Sequence, residues 1–244
     1  MNRWVGKVCV VTGASSGIGA SLAEKLVDHG VVVVGLARRM ERLEESATVF
    51  AGKAGKFHPY RCDITKNEEI INAFKWTTST IGPISILINN AGFTNYTTLT
   101  DGDETIWKRV LDTNVMGLCL ATREAVRSMK SNGIDGHIVH VNSIGGHTPY
   151  LNNMYPPSKF AVTCITEVMR KELIQAGSKI KVSSISPGAT DTEMLRAHSQ
   201  EFVDTNKFPM LNAEDVADSI VHILGTPPHV QIHELIIKPV GEIF

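Results

Sequence analysis

Val8-Cys9-Val10-Val11-Thr12, followed directly by Gly13-Ala14-Ser15-Ser16-Gly17-Ile18-Gly19, is the stretch on which the reading of this chain turns. A short β-branched run of this kind reads as a strand buried on both faces. From Ala20 onward the pattern becomes helical, so the glycines sit where a strand turns into a helix. Glycines at 13, 17 and 19 let the backbone turn tightly and approach a pyrophosphate without Cβ clashes. The helix start around Ile18 then offers free N–H groups and a partial positive charge to the phosphates. Ser15 and Ser16 can add hydroxyl donors. The G-x-x-x-G-x-G spacing differs from the commoner G-x-G-x-x-G fingerprint, and a glycine-rich turn alone is weak evidence. Its place, after the first strand and opening a helix, is what points to a dinucleotide.

Working outward, short β-branched runs at 7–12, 31–37, 56–62, 84–89, 136–142, 179–186 and 234–238 alternate with longer helical patterns. The helices are expected at 16–29, 66–80, 104–131 and 156–176, with a later one after Asn212, a good N-cap. Strand-helix alternation of this kind predicts an α/β fold: a single-domain, Rossmann-type, doubly wound parallel sheet of about seven strands with helices on both faces. No repeat, low-complexity segment or linker interrupts residues 1–244, which are expected to form one domain.

Composition narrows the function classes. The 244 residues are 43% apolar and 20% charged, with a net charge near -1, which gives no general affinity for nucleic acid or anionic membrane. The longest apolar runs fall far short of the roughly 20 residues that span a bilayer. The N-terminus leads straight into a strand, leaving no room for a signal peptide, so a cytoplasmic location is expected. Cys9, Cys62, Cys119 and Cys164 are scattered and read as reduced, mostly buried thiols, with no metal site expected.

The second strand ends Gly35-Leu36-Ala37-Arg38-Arg39. A site for NAD usually puts Asp or Glu near here to accept from the ribose 2′-OH. Ala37 offers no carboxylate, and the arginines that follow can clamp a 2′-phosphate through charge-assisted bonds. NADP (NADPH) is therefore expected over NAD, with Arg38 the better candidate and Arg39 the second. The bland alternative is a solvated Arg pair beside Glu41, Arg42 and Glu44.

Tyr155-Pro156-Pro157-Ser158-Lys159 places Tyr155 and Lys159 on one face of a helix. The prolines require that helix to begin close to Tyr155. A free phenol is too weak an acid to serve as a base at neutral pH. An ammonium about 4 Å away contributes roughly 4 kcal/mol at an effective dielectric of about 20. The expectation is that Lys159 draws the Tyr155 phenol down toward neutrality, poised to give or take a proton. Tyr150, with Met154 at +4, has no activating lysine. Ser143 ends the fifth strand, where its hydroxyl could hold a substrate oxygen beside Tyr155. Asn114 could position a water that relays protons to Lys159.

Together these residues resemble the classical short-chain dehydrogenase/reductase family over essentially the whole chain. The landmarks are Thr12-Gly-Ala-Ser-Ser-Gly-Ile-Gly19, Asp63 closing the third strand, Asn89-Asn90-Ala91-Gly92 after the fourth, Asn114, Ser143, Tyr155-x-x-Ser-Lys159 and Ser186-Pro187-Gly188. Within the family the chain looks like the farnesol dehydrogenase and steroid/carbonyl reductase subgroup. Tyr60-Arg61-Cys62-Asp63, Gly136-His137-Ile138 and the tail at 231–237 carry that narrower likeness. The resemblance implies hydride transfer between a nicotinamide and an alcohol carbon. It makes Ser143 the substrate-orienting group, Tyr155 the acid/base, Lys159 the ribose-binding group and Asn114 the support of a proton relay. It sets Asp63, with Ile64, at the adenine. Asn90, Ala91 and Gly92 would line the adenosine ribose and nicotinamide side, and Pro187, Gly188, Thr190 and Thr192 would pack on the nicotinamide. It also implies homodimers or homotetramers built through the helices at 104–131 and 156–176. Two departures, a Ser143–Tyr155 gap one residue shorter than usual and the Pro156-Pro157 pair, bear on substrate shape.

Substrate is expected beyond the carboxyl ends of the strands, against Ser143, Tyr155 and the loops Phe93-Thr94, Ile144 to Leu151 (which carries His147) and Gly188 to Leu211. His147 reads equally as a loop-structural residue. The segment 189–211 holds Met194, Leu195, Phe202, Val203, Phe208 and Met210. Either it packs on the body or it forms an apolar lid over a lipophilic alcohol or carbonyl, a farnesol-like terpenoid above all. The rivals are a keto-steroid/carbonyl reductase and a catalytically idle NADP-binding sensor or scaffold, the latter disfavoured because Tyr155 and Lys159 are both present.

Overall fold

The computed structural model describes residues 1–150, 154–198 and 209–242. Seven strands, β1 (Val8–Thr12), β2 (Val32–Ala37), β3 (Lys56–Arg61), β4 (Ile84–Asn89), β5 (His137–Val141), β6 (Lys181–Pro187) and β7 (Glu234–Ile237), form one sheet in the order β3-β2-β1-β4-β5-β6-β7. Every neighbouring pair is parallel. The strand order reverses between β1 and β4, so the connections leave a crevice there, outside the carboxyl ends of the strands.

The helices are α1 (Gly17–Asp28), α2 (Met40–Val49), α3 (Asn67–Trp76), α4 (Glu104–Leu111), α5 (Leu118–Ser131), α6 (Tyr155–Gln175), α7 (Glu193–His198) and α8 (Ala213–Gly225). Alternate residues of β1 feed opposite cores. Cys9 and Val11 pack with Leu22 and Leu26 of α1 and Val216 and Ile220 of α8. Val8 and Val10 pack with Ile70 and Phe74 of α3, Ala121 and Met129 of α5 and Leu173 of α6. Burial of Leu22 and Leu26 contributes roughly 1.5–3 kcal/mol each. This two-sided burial is why the strands read as unbroken apolar runs rather than as alternating ones.

The expected helix at 104–131 is divided. Between α4 and α5 the residues Asp112–Gly117 form a wider π turn. A second π turn, Thr77–Ile81, ends the α3 segment. Pro156 and Pro157 lie in the first turn of α6, where the missing N–H costs nothing, so Tyr155 opens the helix. Among the described residues no helix is long and apolar enough to cross a membrane, and none of their His, Cys, Asp or Glu side chains cluster as a metal site. Cys9 and Cys62 are buried, Cys119 is half-buried and Cys164 exposed.

Candidate active site

A crevice of about 740 Å³ opens along the carboxyl edge of the sheet. Its floor is the loop after β1. Gly13 has φ +70°, and a Cβ there would stand 2.9 Å from Ala91 Cα. At Gly19 a Cβ would collide with the Asn90 amide and the Gly13 carbonyl. Asn90 is the pin beneath this turn: its Nδ2 donates to Thr12 O and Gly13 O at 3.0 and 3.2 Å. Thr12 Oγ1 in turn accepts from the N–H groups of Asn90 and Ala91, both at 3.0 Å. The loop is thereby stitched to the end of β4 while Gly13, Ser15, Ser16, Gly17 and Ile18 line the crevice. Glycine at 13 and 19 lets the loop close onto the end of β4, and the start of α1 with the Ser15 and Ser16 hydroxyls then borders the crevice, a setting that fits an anionic group such as a dinucleotide pyrophosphate.

At the end of β2 the two arginines diverge. Arg38 is exposed at the rim. Arg39 turns inward, donating from Nη2 to Ser16 Oγ at 2.8 Å and to Ser15 Oγ at 3.1 Å. The sequence reading preferred Arg38; the geometry gives Arg39 the closer tie to the loop. Asp63 and Ile64 line the same end of the crevice. Burial opposes ionisation of the Asp63 carboxyl, but bonds from the Thr65 N–H and hydroxyl, at 3.0 and 2.8 Å, and the nearby Arg38 hold it below the ordinary range.

At the other end Ser143, Tyr155 and Lys159 all face the crevice. Ser143 caps the short turn Ile144–Gly146, its Oγ accepting from Gly145 N at 3.1 Å. Lys159 is 5% exposed, donates to Val141 O at 2.9 Å and stands 5.6 Å from the centroid of the Tyr155 ring. Desolvation dominates the phenol in this pocket. Burial pushes the Tyr155 phenol up, and its hydrogen bond with Ser143 only partly offsets this. Burial brings the Lys159 ammonium down to about 8. The two groups share a dry pocket, and removing water disfavours both charged forms.

Asn114 lies on the π turn, one layer behind the crevice wall. Its Oδ1 accepts from Phe93 N at 2.8 Å, and its Nδ2 donates to Phe93 O at 2.9 Å and Ser158 Oγ at 3.0 Å. Both donors of the amide are thus spent on protein. The side chain clamps the segment after β4 to the start of α6. That clamp fixes Phe93, which lines the crevice under the Arg109 guanidinium at 4.1 Å.

Of its two expected readings, His147 takes the loop-structural one and not the substrate contact. Its Nε2 pairs with Ser186 Oγ at 2.9 Å and lies 3.5 Å from Glu234 Oε1, and the residue is not part of the crevice wall. Pro187, Gly188, Thr190 and Thr192 do line it. Thr190 pairs with Leu211, closing the base of the 189–211 segment. Within that segment Met194 and Leu195 face the crevice, whereas Phe202, Val203 and Phe208 lie outside the described residues.

Tyr150 and Glu193 lie on the two loops expected to line the pocket, whereas Tyr96, Arg109 and Glu242 join the wall without a sequence signal. Tyr150 stands beside Ser143. Glu242 reaches back from the tail, its Oε2 accepting from Ala189 N at 2.9 Å. Glu193 bridges Arg39 and Arg42 across the rim. No local pattern announces either contact, since the partners are remote in sequence.

The profile of the family described as short chain dehydrogenase matches residues 7–202. The chain is 50% identical, over the full length of both proteins, to a farnesol dehydrogenase of Aedes aegypti. It is 39% identical, again over both full lengths, to dehydrogenase/reductase SDR family member 11 of Bos taurus. A solved serine dehydrogenase complexed with NADP+ superimposes with a TM-score of 0.86 at 26% identity, covering 97% of this chain and 96% of the other. A family match across most of the sequence, relatives alike from end to end, and a crevice built at the strand reversal all agree: the chain belongs to the short-chain dehydrogenase family of oxidoreductases.

Proposed function

We propose that the protein is an NADP(H)-dependent alcohol dehydrogenase that interconverts a lipophilic alcohol, farnesol-like in character, with its aldehyde or ketone. The observation that carries the reading is the meeting of Ser143, Tyr155 and Lys159 in the same crevice as the glycine loop. When bound, the nicotinamide cofactor supplies or accepts a hydride. Gly13 to Gly19 would hold its pyrophosphate, Arg39 with Arg38 its 2′-phosphate, Asp63 and Ile64 its adenine side, and 187–192 its nicotinamide. The likeness to a structure complexed with NADP+ supports this choice, as does the lack of a carboxylate at Ala37.

Ser143 donates to the substrate oxygen and holds it against the Tyr155 hydroxyl. In reduction Tyr155 gives its proton to that oxygen as the carbonyl becomes an alcohol; in oxidation it takes the proton back. Lys159, held by Val141 O, keeps a cationic neighbour at the phenol face and lowers the cost of the phenolate. Phe93, Ile144, Tyr150, Met194 and Leu195 give the substrate end an apolar wall, which suits an isoprenoid chain. The 50% identical farnesol dehydrogenase supports that substrate class. We place the enzyme in the cytoplasm as a homodimer or homotetramer.

The test is a screen of farnesol, citronellol, retinol and keto-steroids with each nicotinamide cofactor, the Tyr155→Phe variant as control. Turnover of a terpenoid alcohol with NADP+ over NAD+ is expected. Turnover confined to keto-steroids would move the substrate class, and no turnover of any of them would overturn the reading.

A further inference from the structure

Glu193, the first residue of α7, spans the rim between the substrate side and the end of β2. Its Oε2 accepts from Arg39 Nη1 at 2.8 Å, and its Oε1 pairs with Arg42 Nη1. Arg39 is held on its far side by Ser15 and Ser16. One carboxylate, two guanidiniums and two hydroxyls of the glycine loop thus form a continuous chain. The backbone is seated there too, for a Cβ at Gly17 would stand 3.1 Å from Thr192 Cγ2. The contact does not depend on a long side chain reaching over.

We propose that Glu193 sets the discrimination between phosphorylated and unphosphorylated dinucleotides, because its carboxylate and the 2′-phosphate compete for the guanidiniums of Arg39 and Arg42. The inference rests on the NADP reading above and adds a residue to which that reading gives no role. Bonds from Arg39 and Arg42 keep the Glu193 carboxyl below its ordinary range, so it is an anion throughout the neutral region. The three side chains are 39–50% exposed, so each pairing is weak and readily exchanged. A phosphate monoester, carrying nearly two charges and matching the guanidinium fork, is the stronger ligand. Once it binds, the displaced carboxylate is left facing a like charge. The seat of α7, beside the substrate, thereby answers to the charge of the cofactor.

The test is a fluorescence titration of NADPH and NADH into wild type, Glu193→Gln, Arg39→Ala, Arg42→Ala and the Glu193→Gln/Arg42→Ala double variant, at low and near-physiological salt. Replacing the charge should tighten NADPH about three- to tenfold and leave NADH within about twofold, with the gain shrinking as salt rises. In the double variant most of that gain should vanish. The same pattern is expected with 2′-AMP against 5′-AMP, which isolates the phosphate from the nicotinamide. If Glu193→Gln leaves NADPH unchanged or weaker while Arg39→Ala weakens NADPH selectively, competition is overturned and the NADP reading stands. Equal tightening of NADPH and NADH also overturns competition. If Arg39→Ala and Arg42→Ala each weaken both cofactors alike, the NADP reading itself fails.

Discussion

Lys159 Nζ stands 5.6 Å from the centroid of the Tyr155 ring and spends a hydrogen bond on the Val141 carbonyl, 2.9 Å away. The pair is therefore a buried cation beside a buried phenol. Burial raises the phenol and lowers the ammonium to about 8. At neutral pH Tyr155 carries its proton, the form needed to reduce a carbonyl. Alcohol oxidation should accordingly climb with pH across the alkaline range, while carbonyl reduction stays level near neutrality and falls as the proton is lost. Rate profiles from pH 6 to 10 in both directions check this; an oxidation rate flat over that range removes Tyr155 as the base.

Tyr155→Phe keeps the ring and deletes the hydroxyl proposed as the acid. Turnover should drop by about 10²–10⁴-fold, the usual worth of a positioned proton donor. Cofactor affinity, measured by titration, should hardly move, and turnover near that of wild type would take Tyr155 out of the chemistry.

Asn114→Ala strips partners from both polar groups of Phe93 and from Ser158. Each of the three lost bonds contributes about 0.5–1.5 kcal/mol net. At about 2–4 °C per kcal/mol for a domain of this size, thermal unfolding should shift down by several degrees. An unchanged midpoint would show that the clamp contributes nothing to the fold.

His137 and His140 are buried on β5, bonded to Ser183 Oγ at 2.9 Å and Thr166 Oγ1 at 2.8 Å. Burial, helped by Lys181 and Arg3 for His137 and by Arg170 and Lys159 for His140, brings both down to about 3. The unfolded chain takes up these protons near 6.5 and the folded chain does not, so stability falls as pH drops from about 6.5 toward 3. Each histidine contributes a slope of about 1.4 kcal/mol per pH unit inside that window. Urea unfolding at pH 7, 6 and 5 should show the loss, and His140→Gln should flatten it. Identical slopes in the two proteins would refute the assignment.

The sheet was legible because burial on both faces leaves a plain mark: apolar runs bounded by glycine, asparagine and proline. All seven strands lie where those runs predict them, to within two residues at either end. The π turn at Asp112–Gly117 was not legible, since one extra residue in a turn hardly disturbs helical periodicity. The different placements of Arg38 and Arg39 were hidden for a similar reason, since adjacent residues leaving a strand point to opposite sides. Tyr155 and Lys159 were found by their spacing, but spacing carries no measure of desolvation, and desolvation decides where the phenol titrates. Glu193 and Glu242 make contacts more than 50 residues away in sequence, beyond any window of pattern.

Glu242, two residues from the end of the sequence, supports the backbone at Ala189 and lies against Gly188. A protease that nibbles the tail would leave the sheet and both cores untouched, so circular dichroism would report an intact fold. The turn beside the reacting centre would nonetheless have lost its prop. Preparations of equal purity could then differ in specific activity, and intact-mass measurement, rather than a melting curve, would tell them apart.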